Sequence, residues 1–121
     1  TALHGDLLNL DEEDKKRGYA GGMSANRINA GLGTIISQVL EQVGREKVAG
    51  LYTTGGDTMV NVCYQLGVEC IEVMDYVIPQ TDVGRLVGKY DGLPVVGKGG
   101  LTGNDNTACD IVERLFKESA R

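Results

Sequence analysis

Apolar positions recur at helical spacing in three stretches of the chain and at strand-like density in three others. From Ser24 onward, Ile28, Leu32, Ile35, Ile36, Val39, Leu40 and Val43 form one continuous stripe, as a helix with one buried face requires. Ser24 is placed to cap this helix through its hydroxyl and Gly44 to end it. Gly31 and Gly33 inside it each cost about 1 kcal/mol relative to alanine, which predicts close packing against a neighbour. Residues 47–53 read as a buried strand. After Gly55-Gly56 a second stripe of Met59, Val60, Val62, Cys63 and Leu66 predicts a helix stopped by Gly67. Residues 70–74 and 93–96 give a second and third strand with a linker between them. Residues 104–118 give a last helix, with Ala108, Ile111, Val112, Leu115 and Phe116 on its apolar face.

The order helix, strand, helix, strand, linker, strand, helix predicts an α/β fold, a mostly parallel sheet with helices on its faces in a Rossmann-like three-layer arrangement. Residues 1–23 read differently. The apolar patch Leu7-Leu8-Asn9-Leu10 precedes the charge block 11–17 and then Gly18-Tyr19-Ala20-Gly21-Gly22, the pattern of a connecting segment or remnant of an upstream region with a short helix around the charges. The ordered domain is expected from 24 to 121. A first residue of Thr1, not methionine, suggests a fragment of something longer.

Composition narrows the chemistry. Eighteen glycines in 121 residues stand well above the roughly 7% of ordinary proteins. A net charge of −5 disfavours a general nucleic-acid surface but permits a local anion site. No apolar run approaches the ~20 residues of a membrane span, and the first residues lack a signal-peptide layout, so a cytoplasmic protein is expected. Cys63, Cys70 and Cys109 form no CxxC pair and have no neighbouring histidine; they read as reduced thiols packed in the interior, with no metal site. His4, the only histidine, lies near a terminus and gives a Ser-His-Asp or Cys-His mechanism little support.

The glycines concentrate in two strand-to-helix turns. In Thr53-Thr54-Gly55-Gly56-Asp57-Thr58 they let a phosphate approach the backbone, and the first amides of the following helix are unsatisfied donors at the positive end of its dipole. Gly55, Gly56 and Thr58 are the expected donors. Asp57 caps the helix, orients a metal-bound water or faces a ligand hydroxyl. The same arrangement recurs in Lys98-Gly99-Gly100-Leu101-Thr102-Gly103-Asn104, with Lys98 as a mobile cation for a polyphosphate. The stretch from Gly92 to Gly99 imitates a P-loop, but its four middle residues are apolar and Gly99 occupies the place of the magnesium-binding hydroxyl. Arg85 reads as a surface arginine paired with Asp82.

Leu51 to Thr58, Ile78-Pro79 to Gly84-Arg85-Leu86, and Pro94 to Gly103 together resemble the C-terminal nucleotide-binding domain of the four-carbon acid sugar kinase family. The resemblance implies an ATP- and Mg2+-using kinase of a small sugar acid such as threonate, erythronate or an oxo derivative, with the substrate-binding domain N-terminal to this chain and missing from it. It implies nucleotide contacts at Gly55, Gly56, Asp57, Thr58, Lys98, Gly99, Gly100 and Gly103. It leaves the catalytic base unknown, assigns no metal ligand, and is compatible with a homo-oligomer. Pro79-Gln80 stands where many members carry Pro-Gly, and Lys98 to Gly103 where they carry Lys-Ser-Gly-x-Phe-Gly. The other reading is a regulatory or interaction domain that keeps the fold without catalysis.

Overall fold

In the computed structural model, which describes Gly5 and residues 7–121, the charge block forms the expected short helix α1 (Leu10–Arg17). Asn9 caps it by accepting from the Glu12 amide at 3.2 Å, and Gly18 ends it. His4 lies outside the described residues. The helix expected from Ser24 is α2 (Met23–Val43), but Ser24 is inside its first turn. Its cap comes from α1: the Asp14 carboxylate accepts from the amides of Gly22 and Ser24, each at 2.8 Å. Hydrogen bonding by the Ser24 side chain and by these amides holds the Asp14 carboxyl below its ordinary range.

After a 3-10 turn (Arg45–Lys47) come β1 (Leu51–Thr54), α3 (Gly56–Leu66), β2 (Val68–Ile78), β3 (Thr81–Gly88), β4 (Pro94–Lys98) and α4 (Thr107–Ser119). They form an α/β unit around one four-stranded mixed sheet of order β1-β4-β3-β2. Leu40, Val62, Leu66, Leu86 and Val95 pack between the sheet and α2 with α3; Val83, Val96, Ile111 and Leu115 pack between the sheet and α4. Helices therefore cover both faces, as expected.

The sheet itself corrects the expectation of a mostly parallel, Rossmann-like arrangement. Only β1 and β4 are parallel; β4 with β3 and β3 with β2 are antiparallel. The cause is the supposed linker, which contains β3, turned back on β2 by Pro79-Gln80. Gln80 takes a positive φ of 63°, the conformation glycine would adopt at the second position of such a turn.

Further corrections follow from what the helices and strands cover. Cys70 and Cys109 are exposed and Cys63 only half-buried, because Cys70 lies on edge strand β2 and Cys109 on the outer side of α4. The α4 stripe is also narrower than expected: Ile111 and Leu115 are buried, whereas Phe116 is 62% exposed. Its buried face runs on to Glu118, whose side chain, 1% exposed, is bound by Arg114 at 2.9 Å and by Arg85 and Arg121 at 3.3 Å. Arg85 thus pairs with Glu118, not Asp82, and also donates to the carbonyls of Gly92 and Glu118.

Gly33 justifies the predicted close packing, since a Cβ there would lie 2.7 Å from the Asn61 carbonyl of α3; a Cβ on Gly31 meets nothing. Gly31→Ala is therefore expected to raise unfolding stability by up to about 1 kcal/mol, and Gly33→Ala to lower it by about 1–3 kcal/mol, in urea denaturation. Glu118 makes a second prediction. The Arg114 hydrogen bond, with Arg121 and Arg85 adding charge, holds its carboxyl below the ordinary 4.5. A carboxyl depressed by folding contributes fully above its unfolded value and loses that contribution as pH falls through the lowered folded value. Denaturation midpoints should fall with pH below about 4.5 in the native chain, and less steeply in Glu118→Gln.

Candidate functional site

The two glycine turns meet because β1 and β4 are parallel neighbours in register, Thr53 opposite Gly97 and Thr54 opposite Lys98. Parallel strands end on the same side of a sheet, so the chain leaves both toward one edge. The Gly55 amide donates to the Lys98 carbonyl at 2.9 Å, joining one turn to the other. Gly55 does this at φ +88°, where any Cβ would be strained. Its amide is committed to the fold, so its part in the site is to shape the turn.

Donors become available one residue later. The first intrahelical bond of α3 runs from Met59 to Gly55, which leaves the amides of Gly56, Asp57 and Thr58 as the unsatisfied first turn. These point with the positive end of the helix dipole past the strand ends. Asp57 is exposed and its side chain caps nothing, contrary to the capping alternative; its carbonyl accepts from Asn61. The Thr58 hydroxyl donates to Asn29 of α2 at 3.1 Å and so ties the first turn of α3 to a second helix. Nothing in the sequence marks Asn29, because the two lie 29 residues apart.

The second turn is organised around the carbonyl of Gly99. Lys98 Nζ donates to it at 2.7 Å and the Thr102 hydroxyl at 3.1 Å, while the Gly99 amide donates to the Gln80 carbonyl at 2.8 Å. The β2–β3 turn is thus a support of the site that the sequence reading missed. Gly100 is exposed, with open space where a Cβ would be. Gly103 stands at the far end of the turn, against Thr107 at the start of α4. Beneath the turns the sheet is tight: Gly97 has no room for a Cβ because the Met59 sulfur occupies that space. A cleft of about 280 Å³ opens next to the first turn, lined by Leu32 and Ile36 of α2, residues 51–54, Thr58 and Val62.

Free amides at a helix start, a mobile ammonium and an exposed glycine on one sheet edge make an anion site suited to more than one phosphate. Among the described residues no group of three or more His, Cys, Asp or Glu could hold a metal by itself. Asp57, the carboxylate in the first turn, fits a magnesium ion held mainly by phosphate oxygens and water.

Comparison with known proteins shows the family of the chain. Residues 3–108 match the model of the nucleotide-binding C-terminal domain family. The chain is 46% identical over 93 residues to a D-erythronate kinase of Heliobacterium modesticaldum, covering 76% of this chain and 21% of that protein. It is 35% identical over 87 residues to a D-threonate kinase of Salmonella typhimurium, covering 71% and 20%. A crystal structure of a domain of unknown function from Bordetella bronchiseptica, a domain-swapped dimer with bound citrate, superposes with a TM-score of 0.70 at 27% identity, over 81% of this chain and 24% of that one. The chain therefore spans about a fifth of the curated relatives it matches.

The fit of Met59 against Gly97 should be visible energetically. Gly97→Ala is expected to destabilise the fold by about 1–3 kcal/mol, and adding Met59→Ala to recover part of that loss, as overlapping atoms require. Urea denaturation of the two single variants and the double variant measures the coupling; additive losses would contradict it.

Proposed function

The chain belongs to the nucleotide-binding C-terminal domain family, that of the four-carbon acid sugar kinases, and from this premise we propose that its two glycine turns hold the phosphates of ATP for transfer to a small sugar acid such as threonate or erythronate. The observation that carries the reading is the joining of the turns by the Gly55–Lys98 hydrogen bond, which brings two sets of phosphate donors to one edge.

The amides of Gly56, Asp57 and Thr58 receive one phosphate. Gly100 and Lys98 receive a second, Lys98 exchanging its bond to the Gly99 carbonyl for a phosphate oxygen. Gly55, Gly99 and Gly103 shape the backbone around them. Asp57 would hold a magnesium ion through water, and the ion would supply positive charge to balance the phosphates. Phosphoryl transfer asks a protein mainly to position groups and balance charge, and amides and an ammonium do both. The sugar acid and the base that accepts its hydroxyl proton belong to a substrate-binding domain outside this chain, in a cytoplasmic enzyme.

On this reading the isolated chain binds ATP weakly and transfers no phosphate. Isothermal calorimetry should detect ATP binding, and Lys98→Ala should weaken it about tenfold, the loss of one charge-assisted hydrogen bond. Absence of nucleotide binding in both the chain and the longer protein containing it would contradict the proposal and leave a domain that interacts without catalysis.

A further inference from the structure

The sheet stops at β1, yet the helix layer above it does not. Of the long apolar stripe on α2, only Leu40 is buried and Ile36 half-buried, while Ile28, Leu32, Ile35, Val39 and Val43 are 41% to 56% exposed. A helix whose apolar face is left in water lacks a partner.

The margin of the sheet shows the same vacancy from the backbone side. Gly55 directs its amide to β4, so strand alternation turns the backbone groups of Tyr52 and Thr54 the other way, toward an edge on which no described strand pairs. Between that edge and α2 lies the cleft of about 280 Å³. Its wall includes Thr53, whose hydroxyl is buried and has no hydrogen-bond partner among the described residues.

We propose that a β-strand from the part of the polypeptide outside residues 1–121 pairs with β1 and lays its apolar side chains under α2, extending the sheet to five strands or more. This rests on the reading of the chain as one part of a longer kinase, since the matched segment covers only 21% and 20% of its two relatives. A second copy is the alternative occupant of the edge. A strand of the same polypeptide is joined to the domain covalently, so it reaches the edge at any protein concentration, whereas pairing of two β1 strands depends on concentration. The added strand would also brace Thr53 and Thr54, from which the first glycine turn springs.

Hydrogen exchange on the complete polypeptide tests this. The Tyr52 and Thr54 amides are expected to exchange at least about a hundredfold more slowly than in an unstructured peptide. Leu32→Glu should abolish that protection while Val96, inside the sheet, keeps its own. Protection below about tenfold, or protection that appears only as concentration rises and so reports a second copy, would overturn the proposal. ATP calorimetry on the same sample separates the two readings: an edge protected without nucleotide binding defeats the nucleotide site alone, and nucleotide binding with an unprotected edge defeats the added strand alone.

Discussion

The parallel pairing of β1 with β4 is the constraint on which the rest depends. It sets two turns that are 43 residues apart in sequence, at Gly55 and Lys98, into hydrogen-bond contact at one edge. It also requires the narrow packing beneath them, with Gly97 giving way to Met59. Several other elements help to hold that pair. The hairpin of β2 and β3 supplies the Gln80 carbonyl that anchors Gly99, α2 supplies Asn29 for Thr58, and α4 covers the far face through Ile111 and Leu115.

Much of this was legible in the sequence. α2, α3 and α4, the strand before Gly55 and the strand that ends at Lys98 follow from apolar spacing and from the punctuation of glycine, α1 follows from the charge block, and both turns were located by residue. What escaped was β3, the strand with the most buried positions on both faces. In Thr81-Asp82-Val83-Gly84-Arg85-Leu86 only Val83 and Leu86 are apolar, so no apolar run announces it. Its burial arises from partners that sequence does not display. Gly84 lies against the Glu72 carbonyl with no room for a Cβ, and Arg85 reaches Glu118 across 33 residues. Missing β3 turned a hairpin into a linker and a mixed sheet into a parallel one.

The same limit applies to caps and pairs. Asp14 sits ten residues before Ser24, and a charge block gives no sign that one of its members folds back to cap the next helix. In the site, the residue types were legible but the assignment of donors was not. A glycine-rich turn shows that backbone can approach an anion, but not which amides the fold has already used, and here Gly55 and Gly99 are committed while Gly56, Asp57 and Thr58 remain free. The exposed apolar residues of α2 follow the predicted stripe well. They misled only about what covers it.

The central claim is that the two turns act on one ligand, and amide chemical-shift mapping during a titration with ATP tests it most directly. If the turns form one site, the amides of Gly56, Asp57, Thr58 and Gly100 shift together and saturate at a common concentration. Shifts confined to one turn, or two sets saturating at different concentrations, would contradict it.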